Sequence, residues 1–356
     1  MSARSAYETL APELSVSING QPLPNKAAAD LIGASVLEDV DAPGMFTFTL
    51  SGSDTIEMKP KWVDDDLFKE GAEVEISIGY RDQTVKLFSG EATGLEPAFE
   101  EGMPPTLTVR GYDRCHRLTR ARKTRSFTRC KDSDIASQVA NDGGLRPSVV
   151  DTGVVLPYVL QQNQTDLEFL SARARRIGYE ILAQDRDLLF RPRPIDATPT
   201  LTLHREVELL SFHPKLSTLA QVSELNVYGW DPSQKQAITA HAASGDEPKL
   251  MAGSASGPSA TQRAFDTVSG ARVSTPVQSQ DEADMLARKA FAEMALHFIH
   301  ARGVCIGEPA MRAGIVVKIE GLGERFSGPY YVTGVEHVFG RKVGFRTHFT
   351  ARRNAS

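Results

Sequence analysis

The sequence predicts a mainly β fold in which two strand-rich units, related by internal duplication, are separated by a small α+β module. The clearest observation is a repeated phrase, LFSGEATGLEPAF at residues 87–99 and RFSGPYYVTGVEHVF at residues 325–339. Each copy follows a glycine (Gly71 or Gly314) and an alternating apolar segment, and each precedes a further strand-like segment. A repeat with a period of about 240 residues indicates a duplicated domain and not a solenoid.

The second observation is the alternation of apolar and polar residues along residues 14–120. Val74, Ile76, Ile78 and Tyr80 would share one face of a strand, because side chains alternate with a period of two. Short strands separated by Gly, Pro or Asp predict a sandwich or a barrel. The alternating segments are LSVSING, MFTFTLSG, EVEISIGY, VKLFSGEATGLE and TLTVRGY.

The third observation is helical character between the two copies. DSDIASQVANDGG predicts a helix with Asp132 as its N-cap and Gly143 near its end. TDLEFLSARARRIG predicts a second helix, because Thr165 and Glu168 form a capping-box pattern and Gly178 stands where a C-cap glycine belongs. YEILAQDRDLLFRPR then predicts a β-hairpin that turns at its Asp-Arg-Asp.

These patterns divide the chain into a first unit at residues 1–120, an α+β module at 121–197 and a second unit at 198–356. Within the second unit, residues 244–279 are rich in Ser, Gly, Ala and Pro, which predicts a long, exposed and flexible loop. Good helix formers after that segment predict a helix at about residues 281–302.

Composition is that of an ordinary globular protein, with 41% hydrophobic residues, 24% charged residues and a formal net charge of −5. The net charge gives no reason to expect nucleic-acid binding by the surface as a whole. The three cysteines are too few and too scattered for a disulfide framework. Neither a signal-peptide core nor a run of ~18 apolar residues is present. The sequence therefore predicts folding in a reducing cytoplasm, and action outside the cell would require release as part of a particle.

The sequence predicts no catalytic residues, no metal site and no cofactor. Cys115 and His116 are adjacent, and neighbours in a strand point to opposite faces, so we do not expect a thiolate–imidazole pair. His297 and His300 stand three residues apart in the predicted helix, with Cys305 beyond, but no second carboxylate accompanies them. A structural role is therefore favoured for both groups.

Other acidic residues offer equally weak motifs. Residues 64–66 are three aspartates without the spacing of a calcium-binding loop, which favours a solvated turn. A cell-wall hydrolase would need a carboxylic acid of raised pKa and a second carboxylate. Glu168 and Glu180 flank the second helix, but capping accounts for the first and the other begins a strand.

The strongest local charge feature is the basic run at residues 114–131, in which eight of 18 residues are Lys or Arg and none is acidic. It could contact phosphates, an acidic partner or a translocated chain in a channel, or it could be a solvated linker. Arg120, Arg122, Lys123 and Arg125 are the candidate contacts with a partner or with a channel lumen.

The chain resembles the phage late control D proteins and the hub portion of VgrG proteins, which are baseplate hubs of contractile injection systems. The most specific likeness is Gln-x-x-x-Thr-Asp-x-x-Phe-Leu with Arg-x-x-x-x-Gly-Tyr, within residues 161–179. Next comes the closing run at residues 326–337, which ends on His337. Residues 111–127 and LNVYGWDPSQKQ extend the resemblance over most of the chain.

The resemblance implies two tube-like β-barrel domains per chain, with closed sheets that leave no free strand edges. It implies a virion structural protein without chemistry, a homotrimer that adapts the six-fold tail tube to a three-fold spike and forms a central conduit. The implied partners are the tail tube protein, a separate spike protein and other baseplate proteins, with transient contact to translocated DNA or tape-measure protein and no stable membrane insertion. The protein would assemble in the bacterial cytoplasm and become part of a phage tail or tail-like particle.

One departure from VgrG-like chains is that this sequence ends at residues 352–353 plus a short tail, without a fused spike. The resemblance then implies a separate spike polypeptide, which favours a phage tail or phage-derived bacteriocin. The alternatives are a tip-associated peptidoglycan hydrolase and a receptor-binding or cell-surface-binding module. Residues 244–279 are the segment that we expect to become ordered on assembly.

Overall fold

The protein is described by a computed structural model that covers residues 11–54, 59–80, 83–231, 234–247, 249–272, 277, 279–341 and 343–356. The N-terminal stretch at residues 1–10 lies outside the described residues. Strands predominate over helices, which confirms the predicted mainly β class. No helix in the described ranges is long and apolar enough to cross a membrane.

The first unit consists of strands and one short helix. In chain order these elements are β1 Pro12–Ile18, β2 Gln21–Pro22, α1 Asn25–Asp30, β3 Leu31–Asp39, β4 Ala42–Ser51, β5 Ser53–Asp54, β6 Lys59–Pro60, β7 Glu73–Tyr80, β8 Gln83–Ala98 and β9 Thr106–Tyr112. As predicted, Val74, Ile76 and Ile78 share the buried face of β7.

The α+β module follows a 3-10 helix, Arg114–Thr119. Its elements are β10 Arg122–Cys130, α2 Asp132–Asp142, β11 Arg146–Val149, β12 Leu156–Thr165, α3 Asp166–Arg176, β13 Tyr179–Gln184 and β14 Asp187–Pro192. The capping box of α3 is confirmed, since Thr165 Oγ1 accepts from the Glu168 N–H at 3.1 Å and Glu168 Oε2 accepts from the Thr165 N–H at 3.0 Å. The N-cap of α2 is Lys131 and not Asp132, which is the first residue of the helix and forms an ion pair with Arg173.

The second unit contains the remaining elements. They are β15 Leu201–His204, β16 Leu209–Leu216, β17 Glu224–Asp231, β18 Gln236–Ala243, α4 Gly257–Phe265, β19 Ser269–Arg272, α5 Gln280–Leu296, β20 Ile299–Ile306, β21 Val316–Glu320, α6 Gly323–Phe326, β22 Gly328–Gly340 and β23 Gly344–Arg353.

The duplication predicted from the repeated phrase is visible in the strand order. In the first unit the order is β3-β4-β9-β8-β7-β1, and in the second unit it is β16-β20-β23-β22-β21-β15. Both copies carry a bulge at the same threonine, Thr93 in β8 and Thr333 in β22. Both also carry a left-handed glycine before the third strand of the repeat, Gly71 and Gly314, with φ of 81° and 78°. The copies differ at one edge, where β1 is antiparallel to β7 but β15 is parallel to β21.

The sheets of the two units are joined into one continuous sheet. The connection is an antiparallel pairing of β3 with the second half of β22, which places Gly33 opposite Gly340 and Asp39 opposite Gly334. At its centre Val36 lies opposite His337, and both side chains are fully buried. Residues directly opposite each other point to the same side of a sheet, so the cores of both units lie on one side.

Residues 217–298 form an inserted subdomain between β16 and β20, whereas the equivalent strands β3 and β4 are joined by a tight turn. Its sheet has the order β18-β17-β19 and packs against α5. The prediction of an exposed loop at 244–279 is wrong for the described residues, because they include α4 and β19. The predicted helix at 281–302 is found as α5, but it ends earlier because residues 299–302 already belong to β20.

A buried arginine fastens part of the 244–279 segment to the second unit. Arg353 is 1% exposed, and it belongs to none of the ion pairs among the described residues. Its guanidinium donates to the carbonyl oxygens of Met251 (2.9 Å), Ala252 (2.6 Å) and Ser327 (2.8 Å) and lies over the ring of Tyr330. Serine, glycine and alanine can therefore be ordered here by backbone contacts that their composition does not reveal.

Arg353→Met should lower the free energy of unfolding by about 3 kcal/mol or more, because buried carbonyl oxygens lose their donor. Arg352→Met is the matched control, since Arg352 lies on the opposite face of the same strand, and should cost about 1 kcal/mol or less. Urea-induced unfolding followed by circular dichroism measures both. Equal effects of the two substitutions would contradict the role assigned to Arg353.

Candidate functional site

Cys115 and His116 lie in the 3-10 helix and not in a strand as predicted. Asp113 caps this helix by accepting from the Cys115 N–H at 2.8 Å. Burial raises the pKa of the Cys115 thiol well above its usual value, so the thiol stays protonated at neutral pH. His116 Nε2 contacts Glu91 Oε2 at 2.8 Å, and the two neighbours serve separate structural contacts.

His297 and His300 are not on one helix, because His297 caps the end of α5 and His300 lies in β20. Their rings nevertheless meet, with His297 Nδ1 at 3.1 Å from His300 Nε2. Arg352 Nη1 donates to the other ring nitrogen of His297 at 3.0 Å, and Cys305 is buried on the opposite face of β20. Within the part of the chain that the structure describes, no group of three or more His, Cys, Asp or Glu is placed to hold a metal ion.

The other polar residues singled out in the sequence have local partners. In the exposed 64–66 turn, Asp65 Oδ1 accepts from the Leu67 N–H at 2.9 Å and Asp66 pairs with Lys69 at 2.8 Å. His337 is fully buried, and burial lowers its pKa to about 3. Its neutral ring contacts the Met311 carbonyl at 2.9 Å and the hydroxyl of Thr347 at 3.0 Å.

The four basic candidates, Arg120, Arg122, Lys123 and Arg125, lie at the start of β10 or just before it. Three of them form ion pairs inside the module: Arg122 with Glu168, Lys123 with Asp166, and Arg125 with Asp142 and Asp166. Arg120 donates to His116 Nδ1 at 3.3 Å. Acidic residues of the same chain therefore neutralise much of the positive charge of the basic run at residues 114–131. Contact of these residues with a partner or a lumen stays a prediction.

A cavity of about 220 Å³ lies where the first unit, the module and the second unit meet. Asp113 lines it and accepts from the Gly44 N–H at 2.5 Å, and burial raises the pKa of Asp113 to about 7. Glu38 also lines the cavity but forms an ion pair with Arg312. Glu38 therefore joins the first unit to the second, whereas both hydrogen bonds of Asp113 lie within the first unit.

Glu180 forms a buried contact between the module and the second unit that its position at a strand start did not reveal. Its carboxylate is fully buried, accepts from Arg191 Nε at 2.8 Å and accepts from the Tyr331 hydroxyl. Burial raises the pKa of Glu180, against the opposing effect of these two donors.

The candidate functional site is a pair of open sheet edges, one in each unit. In β8, residues 94–98 pair with β9 on one side, and no strand in the described ranges pairs with the other side. In β16, residues 211–216 pair with β20 on one side only. The expectation that closed sheets leave no free edges is therefore wrong for the single chain.

The two open edges are the equivalents of the two edges that meet in the β22–β3 junction. β8 corresponds to β22 through the shared bulge, and β16 corresponds to β3 through a second shared bulge, at Leu31/Gly33 and Leu209/Ser211. The same structural edge is thus covered once and exposed once within each chain.

The covered and the open edge differ in how deeply the side chains at equivalent positions are buried. In β22, Val335 and His337 are fully buried against β3. At the equivalent positions of the open edge, Leu95 is half-buried and Pro97 is exposed. Phe99, just beyond β8, is 62% exposed. Leu95, Pro97 and Phe99 on the open edge are therefore more exposed than the residues at the equivalent positions of β22.

The face of the continuous sheet opposite the two cores carries mainly polar side chains. It runs across eight strands of both units, from β16 to β8. Its side chains include Thr47, Thr49, Thr106, Thr108 and Arg110 in the first unit, and His213, Arg302, Arg346, His348 and Thr350 in the second. We refer to this surface as the bare face. A polar face on a sheet whose other face is buried is typical of a surface in contact with water.

The fold is shared with solved phage tail and secretion-system proteins. The chain is similar to the 43 kDa tail protein of prophage MuSo2 from Shewanella oneidensis, with a TM-score of 0.73, 13% identity, and coverage of 96% of this chain and 98% of that chain. It is also similar to the tail protein from Neisseria meningitidis MC58, with a TM-score of 0.70, 13% identity and coverage of 96% and 97%.

The c3393 protein of E. coli, a component of the type VI secretion system, matches with a TM-score of 0.63, 14% identity and coverage of 96% of this chain and 77% of that chain. At such identities the likeness shows a common fold. No curated protein matches the sequence.

A family model adds a match by sequence. The model described as Alg8 N-terminal domain matches residues 9–340. Because this match spans most of the chain, the protein belongs to the Alg8 N-terminal domain family.

Proposed function

We propose that the chain is a structural baseplate hub of a contractile phage tail or tail-like particle, related to the late control D proteins. Three chains would form a ring around a central conduit, adapting the six-fold tail tube to a three-fold spike. The description of the family names a domain and no activity, so the proposal rests on the fold and on the open edges. The single observation that carries it is that each chain covers one copy of this edge with its own strand and leaves the other copy open.

The β22–β3 junction supplies the register for pairing between chains. When β8 is aligned with β22 and β16 with β3 at their shared bulges, each residue pair of the junction gives an equivalent pair between β8 of one chain and β16 of the next. Leu95 then lies opposite Leu216, and Phe99 lies opposite Phe212. Glu96 lies opposite Lys215, in the place where Glu336 lies opposite Leu37 within the chain.

These pairs are chemically complementary. The two apolar pairs would bury side chains that are half-buried or exposed in the single chain, and the opposite charges of Glu96 and Lys215 favour this register. Pro97 and Pro214 also lie opposite each other, so that pair provides no N–H donor. Prolines on an edge disfavour pairing with arbitrary strands, which leaves the side chains to select the partner.

Pairing of two different edges is head-to-tail and generates a closed ring when the rotation closes. Each chain would contribute two equivalent units, so three chains would place six units around the axis. That number suits a six-fold tube on one side and a three-fold spike on the other. Both cores lie on the same side of the sheet, and the bare face would then line the conduit.

The partners expected for such a ring of three chains remain predictions. One end of the ring would meet the tail tube protein and other baseplate proteins, and the other end would hold a spike. The shared fold with phage tail proteins supports this setting. The role is mechanical, since the candidate carboxylates, cysteines and histidines have structural partners, and we propose no catalytic activity.

Charge reversal at the edges tests the ring. Glu96→Lys or Lys215→Glu should each weaken assembly, because like charges would face each other at every junction, at a cost of about 1 kcal/mol per junction. The double variant E96K/K215E restores opposite charges across the junction and should restore assembly in large part, although Arg110 would still lose its ion-pair partner Glu96 within the chain. Native mass spectrometry over a range of protein concentrations measures the fraction of trimer, and Lys26→Glu, an exposed charge away from both edges, is the control.

A wild-type chain that stays monomeric at all concentrations, with or without the spike protein, would contradict the ring. Trimers that withstand both single reversals would instead place the subunit contact elsewhere. Loss of assembly in the single variants without recovery in the double variant would reject the Glu96–Lys215 register.

The hydrolase alternative has one observation in its favour, the carboxyl group of Asp113 with its raised pKa beside Glu38 in a cavity. We infer a structural role for Asp113, because its two oxygens accept from the N–H groups of Gly44 and Cys115. A zymogram on peptidoglycan should therefore stay blank for the wild type, and clearing that is lost on Asp113→Asn would support the hydrolase.

The structural role of Asp113 predicts a pH dependence of stability. Its folded pKa of about 7 exceeds the unfolded value of about 3.9, so the folded protein binds this proton more tightly. The resulting stabilisation is complete below about pH 4 and is lost as the pH rises through about 7. Asp113→Asn keeps an acceptor without the charge, so its free energy of unfolding should fall less between about pH 5 and pH 8 than that of the wild type. Parallel pH profiles from denaturant unfolding would contradict this role.

A further inference from the structure

The part of the bare face that belongs to the second unit is basic. Three arginines point outward from two neighbouring strands, Arg302 from β20 and Arg346 and Arg352 from β23. Histidines stand between them at positions 300 and 348, and His213 extends the group onto β16. We refer to this surface as the basic face.

Two of the three arginines of the basic face, Arg302 and Arg346, are poorly compensated by acidic groups. Arg302 and Arg346 take part in none of the ion pairs among the described residues, and the guanidinium of Arg346 donates to the carbonyl oxygen of Phe345. Arg352 approaches Glu293 at 3.5 Å. Two carboxylates lie on the same face: Glu336, which accepts from the hydroxyl of Ser35 at 2.9 Å, and Asp39, whose charge interacts with that of Arg352. Arg302 and Arg346 are therefore the two arginines whose charge is available to a ligand.

The equivalent surface of the first unit lacks this charge. Its outward residues on β4 and β9 include four threonines, and the arginine among them, Arg110, is paired with Glu96 at 2.8 Å. The basic face is thus a property that the second copy has and the first copy does not. A chain with a net charge of −5 concentrates uncompensated arginine on one sheet face.

The spacing of the arginines suits a repeating anion. Arg352 on β23 lies opposite His300 on the neighbouring strand β20, and Arg302 lies two residues further along β20. Strand geometry converts this offset to about 5 Å across and about 7 Å along the sheet. A groove of about 400 Å³ runs over this part of the sheet, and its lining includes the cationic or titratable Arg302, His213 and His348 and the carboxylates of Asp39 and Glu336.

The chemistry of the face favours a phosphate backbone over an acidic protein. Arginine presents a planar fork that matches phosphate oxygens. The exposed aromatic residues of the described chain, such as Phe99, Tyr158, Tyr228 and Trp230, lie outside β20 and β23. A protein partner would find no Phe, Tyr or Trp anchor there, and a single strand would find only the histidine rings as a surface on which its bases could stack.

We propose that the basic face binds the phosphate backbone of duplex DNA without sequence preference. The identity of the occupant rests on the proposed conduit, through which a duplex would pass along the bare face. The contact would be made of a few arginine–phosphate pairs, so it would be weak and strongly dependent on salt. Weak contacts of this kind allow a duplex to slide along the surface.

The test is fluorescence anisotropy of a labelled duplex of about 20 base pairs, titrated with the full chain at several salt concentrations. Replacing two of the cations with Arg302→Gln and Arg346→Gln should weaken binding about tenfold or more at low salt, and the salt slope should fall by about 2. The charge-preserving double variant R302K/R346K should keep most of the affinity. The control is the double variant R263Q/R272Q, which removes two exposed arginines of the inserted subdomain.

Unchanged binding by R302Q/R346Q, or equal weakening by the control, would overturn the proposal. Displacement of the duplex by polyglutamate at lower charge concentration than by unlabelled duplex would overturn it in favour of an acidic protein. Mass measurement on the same preparations separates this proposal from the ring. A trimer without DNA binding would contradict the basic face alone, whereas DNA binding by a monomer would support the basic face and contradict the ring.

Discussion

The pairing of β3 with the second half of β22 is the interaction on which the rest of the structure depends. It joins the sheets of two duplicated units into one, and it places both cores on the same side. The opposite face is therefore free along eight strands. The junction also covers one copy of an edge that remains open in the other copy. The chain forms this strand pairing once internally, and the same pairing geometry could form again between its open edge and that of a neighbouring chain.

The two copies have diverged where a ring of alternating units would need them to differ. The turn between β3 and β4 is short, whereas the equivalent connection in the second unit has grown into a subdomain with its own core, fastened by Arg353. The bare face has diverged as well, with threonine in one copy and uncompensated arginine in the other. Alternation of this kind would turn six similar units into a ring of three-fold symmetry.

Local patterns in the sequence predicted local structure well. The capping box at Thr165 and Glu168 and the tight hairpin turn after Gln184 depend on neighbouring residues, and both are present. The repeat revealed the duplication because it preserves the bulge and the left-handed glycine. The composition of residues 244–279 gave the wrong prediction of an exposed loop, because part of that segment is held by hydrogen bonds from Arg353, which lies far along the chain.

The proposed functional surfaces could not be predicted in the same way. The β22–β3 junction joins residues about 300 positions apart, and the bond between Ser35 and Glu336 spans 301 positions. No local pattern specifies that pairing. The basic run around Arg122 attracted attention by its density of charge, yet acidic residues distant in sequence compensate it. Arg302 and Arg346 are isolated in the sequence, and only the sheet brings them together.

A disulfide between chains tests the central claim, the pairing of β8 with β16 of a neighbour, most directly. Val40 donates to the Thr333 carbonyl at 3.1 Å, so by alternation Glu336 and Leu37 form a non-hydrogen-bonded pair, with close Cβ atoms suited to a disulfide. Glu96 and Lys215 inherit this geometry across the proposed interface. Under mild oxidation, the double variant E96C/K215C should yield covalent species that end at three chains, while either single variant should not. Monomers alone, or crosslinking no greater than in the single variants, would contradict the pairing.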